Sequence, residues 1–175
     1  MGHRAVVVMV VPHPRMTDRA WRLAYWIGYR MARAWWGIRH PHHDGAVIAV
    51  WLNGEILGVT QSYTDALTWP GGGIRSGEDE KAAAQRELRE EVGLTARLED
   101  LRLVRSITIM WEHRHDHVRI FELCLTAPPK LAPDGREITT AAFMRPQDML
   151  AVSTPPFVRD YLLDRTEALQ TGSAP

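Results

Sequence analysis

The sequence predicts an α+β fold, an α/β/α sandwich in which a mixed β-sheet lies between helices, preceded by an amphipathic helix. Three observations support this: an Asn53-Gly54 hairpin signal between two apolar runs, further β-rich segments on both sides of one highly charged helix, and a closing helix near the C-terminus. The chain has 175 residues, the size of one domain, and shows no internal repeat or linker. We expect residues 41–170 to form that domain, residues 1–40 an N-terminal segment and residues 171–175 a mobile tail.

The apolar run Ala5–Val11 is interpreted as a strand or a leader, because seven residues cannot span a bilayer and no small-residue cleavage site follows. The single Cys124 excludes an intrachain disulfide and suits a reducing compartment, so we expect a cytoplasmic protein with a buried, inert thiol. Lys plus Arg and Asp plus Glu both number 21. No overall field attracts nucleic acid, and no nucleic-acid partner is expected.

Residues 18–38 are predicted to form a helix capped by Thr17 or Asp18. Aromatic and small residues occupy its broad face, and arginines occupy a narrow opposite face. We expect the broad face to pack on the domain or on a second copy of the chain, as in a homodimer; peripheral contact with an anionic membrane is the alternative. The broad face contains Trp21, Ala24, Tyr25, Gly28, Met31, Ala32, Trp35 and Trp36, and the basic face contains Arg19, Arg22, Arg30 and Arg33.

The segment His40–Asp44 is interpreted as a turn, and the spacing of its histidines matches no ordered zinc site. A hairpin follows, with strands over residues 46–52 and 56–62. Further strands are expected over 101–111, 118–126 and 138–144, with a polar loop over 112–117. A Pro-rich loop is expected over 128–135, and a closing helix over 155–169.

The central helix is predicted to begin near Asp79, with Glu78 in its first turn, and to end at Gly93. Residues 70–73, Pro-Gly-Gly-Gly, precede it and are expected to form an irregular loop that lets backbone approach a ligand closely. Three carboxylates on one helix face repel one another, so a cation is expected among them. They belong to Glu87, Glu90 and Glu91.

The pattern of this stretch is Gly72-x5-Glu78-x7-Arg86-Glu87-Leu88-x-Glu90-Glu91-x-Gly93-Leu94, which resembles the Nudix box of the Nudix hydrolase superfamily at every fixed position. The resemblance implies a Mg²⁺-dependent hydrolase, with Mn²⁺ as a possible substitute, that splits a nucleoside diphosphate linked to another group. It implies that the three glutamates and the carbonyl of Gly71 hold the metal. It also implies an ion pair between Arg86 and Glu78, and it implies that Gly72 and Gly93 are needed for the position of the backbone.

A further carboxylate is expected to close the metal site, because three glutamates on one helix cover only one side of an octahedral ion. Glu137 follows a flexible turn and is a candidate ligand or general base, with Asp134 and Asp116 competing for that role. Four side chains flanking the cleft are expected to contact the substrate. Their alternative roles are packing in the core or exposure at the tip of a hairpin. The four residues are Tyr63, Trp69, Trp111 and Arg114.

The leading hypothesis is therefore a pyrophosphohydrolase acting on a small nucleoside diphosphate derivative. The alternative is a nucleotide-binding regulatory module of the same fold without catalysis, which a degenerate box would favour. An isoprenoid diphosphate isomerase is a third reading, but its usual cysteine is not recognisable. Nothing outside the box fixes the substrate.

Overall fold

A computed structural model describes residues 9–12 and 16–170. The start of the apolar run, before Met9, and the predicted tail 171–175 lie outside these residues. In chain order the elements are β1 Met9–Val10, α1 Met16–Arg39, β2 His42–Leu52, β3 Glu55–Gln61, β4 Leu67–Thr68, β5 Gly71–Gly73, α2 Glu80–Val92, a 3₁₀ turn Leu98–Asp100, β6 Arg102–Trp111, β7 Arg114–Leu125, β8 Ile138–Met144, α3 Pro146–Leu150 and α4 Pro156–Gln170.

The described strands form one mixed sheet in the order β1-β8-β3-β2-β7-β6, with β4 paired to β3 and β5 to β2. The pair β2 and β7 is parallel, from His42 opposite His115 to Leu52 opposite Leu125. The other pairs are antiparallel. The mixed sheet is as predicted, and β8 spans the residues expected from the sequence.

Each face of the sheet carries its own hydrophobic layer. Alternate residues of β2 point to opposite faces, so Ile48 and Val50 pack with Leu88 of α2, while Trp51 packs with Val158 of α4. Leu88 is fully buried, and truncation to Ala is expected to cost about 2–5 kcal/mol. The α/β/α sandwich is thereby confirmed; α3, which also packs on the α4 face through Met149, was not predicted.

Two predicted connections are wrong because long-range pairing extends the strands. His42 to Asp44 belong to β2, since they pair in register with the start of β7 rather than forming a turn. The loop expected over 112–117 shrinks to Glu112-His113, whose φ angles of 49° and 66° close a two-residue hairpin. Strand β7 therefore begins at Arg114.

The Gly-rich segment is a strand and not the irregular loop that was expected. Gly71 to Gly73 pair with β2 from Val47 back to Gly45. Gly71 has φ 153°, and a Cβ there would stand 2.3 Å from the carbonyl oxygen of Ala46. Glycine is required here because β5 approaches β2 too closely for a side chain.

Both ends of α2 follow from local chemistry. Asp79 is the N-cap, with its carboxylate accepting hydrogen bonds from the amides of Lys81 and Ala82, and loss of such a cap costs about 1 kcal/mol. Gly93 closes the helix in the left-handed conformation, φ 69°. Glu78 and Asp79 thus precede the helix instead of lying in its first turn.

Helix α1 begins at Met16, two residues before the predicted start, so neither Thr17 nor Asp18 is its cap. Its less exposed positions recur at 18, 22, 25, 29, 32 and 36, the spacing of one helix stripe. The predicted division of its faces is partly wrong. Trp21, Met31 and Trp35 of the aromatic face remain more than half exposed, whereas Arg22 of the basic face turns inward and donates to the carbonyl of Gly135.

Cys124 is exposed, contrary to the expectation of a buried thiol. Within the described residues, no helix is both long enough and apolar enough to cross a membrane. The cytoplasmic location stays a prediction.

Candidate active site

The first part of the site is the contact between α2 and the glycine strand β5. The amide of Gly71 donates a hydrogen bond to Oε2 of Glu91 over 2.9 Å, and Glu91 is only 6% exposed. A Cβ on Gly72 would lie 2.7 Å from Oε1 of Glu87. The missing side chain of Gly72 is therefore what lets the Glu87 carboxylate reach the strand.

Arg86 holds this arrangement together. Its Nε and one terminal nitrogen donate to the two carboxylate oxygens of Glu78 at 2.8 and 2.9 Å. The other terminal nitrogen donates to Glu87 at 2.5 Å, and the carbonyl of Gly73 accepts a further bond at 3.0 Å. The expected ion pair between Arg86 and Glu78 is present. The guanidinium of Arg86 thus links the loop that precedes α2, strand β5 and α2 itself.

Glu90 differs from its two neighbours in the box. Its side chain is 45% exposed, and its nearest cationic partners are Arg86 at 3.5 Å and Arg75 and Arg89 at 3.9 Å. Such long, exposed contacts contribute little to stability. Glu90 thus lies at the solvent side of the carboxylate group.

Glu137 approaches the box from the loop before β8. Its carboxylate is half-buried and accepts a hydrogen bond from the hydroxyl of Tyr63 over 2.9 Å. The competing Asp134 is engaged within the loop, where it accepts bonds from the amides of Arg136, Glu137 and Ile138. Glu137 is therefore the carboxylate of this loop that lines the cavity beside β5.

Burial raises the pKa of Glu91 well above its usual range; the amide of Gly71 opposes the shift, and the charges of Glu137 and Glu87 add to it. Burial also raises the pKa of Glu87, against the lowering effect of Arg86. For Glu137, burial raises the pKa and the Tyr63 hydrogen bond lowers it. Each of the three pays a desolvation cost when ionised, so a cation among them would stabilise all three.

The donor set fits a hard divalent cation such as Mg²⁺, which prefers carboxylate and carbonyl oxygens. Among residues 9–12 and 16–170, no three carboxylate, imidazole or thiolate groups already surround one point. Glu87 and Glu91 are engaged by Arg86 and Gly71. Binding would therefore draw carboxylate oxygens away from these present partners.

The backbone of Gly71 is also oriented for this role. The amide of Ile48 bonds the carbonyl of Pro70, which makes Val47 and Gly71 a non-hydrogen-bonded pair of the β2–β5 ladder. The amide and carbonyl of Gly71 thus point away from β2, and the amide reaches Glu91. The carbonyl is left without a partner on β2.

A cavity of about 300 Å³ adjoins these groups, and Gly71 to Gly73 and Glu137 form part of its wall. Tyr63, Trp111 and Arg114 line it, as expected for residues flanking the cleft. Trp69 also borders it but is only 1% exposed and packs edge-on against Tyr161 at 5.0 Å. Trp69 therefore takes the alternative role of core packing.

Helix α1 supplies further wall residues that sequence reasoning did not assign to the site. Tyr29 and Trp36 line the cavity, Tyr29 donates its hydroxyl to Glu112, and Arg33 lies 3.5 Å from the same carboxylate. A second cavity of about 410 Å³ along α1 also reaches Tyr63 and Glu137. The spacing of seven between Tyr29 and Trp36 was the available signal, since it places both on one helix stripe.

His43 was not assigned to the site, and Asp116 was named only as a competitor of Glu137; both line the cavity. His43 lies on β2 and Asp116 opposite it on β7, a parallel pairing that no local pattern reveals.

A family model described as the NUDIX domain matches residues 41–164. Together with the sandwich and the carboxylates at the glycine strand, this match shows that the chain belongs to the Nudix family. It is a hydrolase acting on a diphosphate bond. The match begins after α1, so α1 is an addition to the family domain.

Solved structures agree with this fold. The C. elegans Ap4A hydrolase in a binary complex is 22% identical with a TM-score of 0.62, over 74% of this chain and 98% of that one. The MutT NUDIX hydrolase from Burkholderia pseudomallei is 17% identical with a TM-score of 0.60, over 69% and 95%. The E. coli ORF135 protein is 19% identical with a TM-score of 0.62, over 78% and 97%. The search of curated proteins finds no match to this chain.

Proposed function

We propose that this protein is a Mg²⁺-dependent pyrophosphohydrolase that uses water to split a nucleoside diphosphate linked to another group into a nucleoside monophosphate and a phosphorylated remainder. The observation that carries the proposal is that the carboxylates of Glu87 and Glu91 lie against the glycine strand β5, which walls a cavity that Glu137 also lines. An ordinary charged helix would leave such carboxylates in solvent.

Mg²⁺ would be held by Glu87, Glu90, Glu91 and the carbonyl of Gly71, with Mn²⁺ as a possible substitute. The bound ion would neutralise negative charge on the diphosphate and make a water molecule easier to deprotonate. The exposure of Glu90 suits a ligand that meets the ion from the solvent side.

Glu137 is proposed as the general base that takes a proton from the attacking water. Burial raises its pKa, which makes the ionised carboxylate a stronger base. The hydrogen bond from Tyr63 fixes its orientation. Arg86 keeps the Glu87 carboxylate beside β5 and reduces its repulsion from neighbouring carboxylates.

The proposal is tested by incubating the protein with nucleoside triphosphates, nucleotide sugars, ADP-ribose, dinucleoside polyphosphates and coenzyme A, each with Mg²⁺, with Mn²⁺ and with chelator. Products are identified by phosphorus NMR, and reaction in ¹⁸O-water shows which phosphorus is attacked. Metal-dependent release of a nucleoside monophosphate supports the proposal. Nucleotide binding without turnover of any compound favours the regulatory module instead.

A homodimer is also proposed, through the outer surface of α1. The inward stripe of α1 contacts the domain, yet large apolar side chains remain exposed on its other faces, and such patches usually mark an interface. Those at least 44% exposed are Met16, Trp21, Leu23, Trp26, Ile27, Met31, Trp35 and Ile38.

A further inference from the structure

One part of the cavity wall joins α1 to the β6–β7 hairpin. The guanidinium of Arg114 lies over the ring of Trp36, 4.0 Å from its centre. A terminal nitrogen of the same guanidinium donates to Oδ2 of Asp116 over 3.0 Å. All three residues line the cavity.

This wall contains polar atoms that lack partners. Asp116 is 4% exposed, and its Oδ1 atom makes no hydrogen bond; the Nε of Arg114 is likewise buried and unpaired. The imidazole Nδ1 of His43 lies 3.5 Å from Oδ1, which is too far for a good hydrogen bond. Buried polar groups are nearly always satisfied in folded proteins, so an acceptor and a donor left open beside a cavity indicate a ligand.

The charge balance decides which part of a substrate fits here. Arg114 is already paired with the buried carboxylate of Asp116, so the pair has no net charge to attract a phosphate. A phosphate would instead place a second anion beside Asp116. A neutral planar group with an N–H donor next to an acceptor satisfies both open atoms, and a nucleobase is such a group.

We propose that Trp36, Arg114 and Asp116 form a nucleobase subsite, in which an N–H of the base donates to Asp116 and a ring nitrogen or carbonyl accepts from Arg114. The proposal rests on the proposed function, because it takes the nucleotide half of that substrate. Trp36 precedes residue 41, where the family match begins. The subsite therefore depends on the added helix α1.

The test measures binding without requiring turnover. Calorimetry compares AMP, GMP, CMP and UMP, and then compares the tightest of them with an analogue whose base has no N–H donor: purine riboside monophosphate for a purine, 2-pyrimidinone riboside monophosphate for a pyrimidine. The parent protein is expected to bind the natural nucleotide at least about tenfold more tightly than the analogue, because the analogue leaves the buried acceptor of Asp116 without a hydrogen bond.

Asp116→Ala is expected to abolish this discrimination, and Trp36→Ala to weaken nucleotide binding by about tenfold or more through lost packing against the base. Matched controls are Asp100→Ala, at an exposed aspartate, and Trp35→Ala, whose side chain is 55% exposed and does not line the cavity. Both controls should bind like the parent. If circular dichroism shows that Asp116→Ala is unfolded, Asp116→Asn is used instead, because it keeps the shape of the side chain and one acceptor. Asp116→Asn should reduce the discrimination between the two nucleotides.

Equal binding of the natural and donor-free nucleotides by the parent, unchanged discrimination in a folded Asp116 variant, or no nucleotide binding at all would overturn the subsite. Discriminating binding without metal-dependent hydrolysis would leave the subsite standing and reject the proposed catalysis. The two failures are thus distinguishable.

Discussion

The hydroxyl of Tyr63 donates a hydrogen bond to the carboxylate of Glu137 over 2.9 Å, while the ring of Tyr63 packs 4.8 Å from that of Tyr29 and 6.3 Å from that of Tyr25. Burial, followed by the charge of Glu137, raises the pKa of Tyr63, so the hydroxyl stays protonated as a donor. Helix α1, outside the matched family domain, is thereby connected to a carboxylate beside the box.

Glu137→Gln is expected to lower turnover by about a hundredfold or more with little change in metal affinity, because general-base catalysis contributes about 10²–10⁴-fold. Steady-state kinetics over a Mg²⁺ titration measure both effects. If Glu137 is a metal ligand instead, the Mg²⁺ requirement shifts upward. Glu99→Gln, at a side chain 68% exposed, is the control, and parental turnover with parental metal dependence in Glu137→Gln would contradict any catalytic role.

Glu91→Gln is expected to fold normally yet lose at least about a hundredfold in turnover, the scale for removing one charge-stabilising group from a site. The amide can still accept the hydrogen bond from Gly71, so the local structure should persist. Kinetics on the best substrate at saturating Mg²⁺ measure the loss, with thermal unfolding as the check on folding. Equal activity of mutant and parent would reject the metal assignment of Glu91.

Gly72→Ala is expected to reduce turnover by at least about tenfold, because its Cβ would lie 2.7 Å from Oε1 of Glu87 and displace that carboxylate. Gly28→Ala is the matched control: it has open space around the added Cβ, and Ala stabilises a helix interior by about 1 kcal/mol relative to Gly. Its turnover should equal that of the parent. Parental kinetics in Gly72→Ala would show that the position of Glu87 is unimportant.

Glu78 is expected to make stability depend on pH. The hydrogen bond from Arg86, followed by that from the Arg75 amide, lowers the pKa of Glu78 to about 2. The pKa of a glutamate in the unfolded chain is about 4.3, so ionised Glu78 stabilises the folded protein above that pH. This stabilisation is lost as pH falls from about 5 to 2. Urea unfolding across that range should show a steeper decline for the parent than for Glu78→Gln; parallel curves would contradict the assignment.

Sedimentation velocity tests the dimer. The parent is expected to sediment as a dimer, and Trp35→Glu, which places a charge on the exposed surface of α1, as a monomer. Removal of residues 1–40 should have the same effect. A monomeric parent would defeat the dimer, and co-sedimentation of the parent with anionic vesicles but not neutral ones would favour the membrane alternative.

Features that depend on near neighbours in the chain were predictable. The pairing of Glu78 with Arg86 was implied by the resemblance to the Nudix box, and Asp79 was expected in the first turn of α2 but is its N-cap. The stop of α2 at Gly93 was predicted because residue spacing determines geometry within one helix. The same holds for the turn at Asn53-Gly54. The helical repeat placed the three glutamates of the box on one side of α2, which predicted a cation, and the diphosphate chemistry was implied by the resemblance to the Nudix box.

Features that depend on distant partners were decided only by the tertiary structure. Strand β5 and the first residues of β7 are strands because β2 supplies their hydrogen bonds, although a Gly-rich and a polar segment look like loops locally. The face that α1 turns to the domain depends on partners distant in the chain, Tyr63 for the rings of Tyr25 and Tyr29 and Arg114 for the ring of Trp36. The approach of Glu137 to Glu91, and of Trp36 to Arg114, likewise exists only after folding, because each joins segments that no local pattern relates.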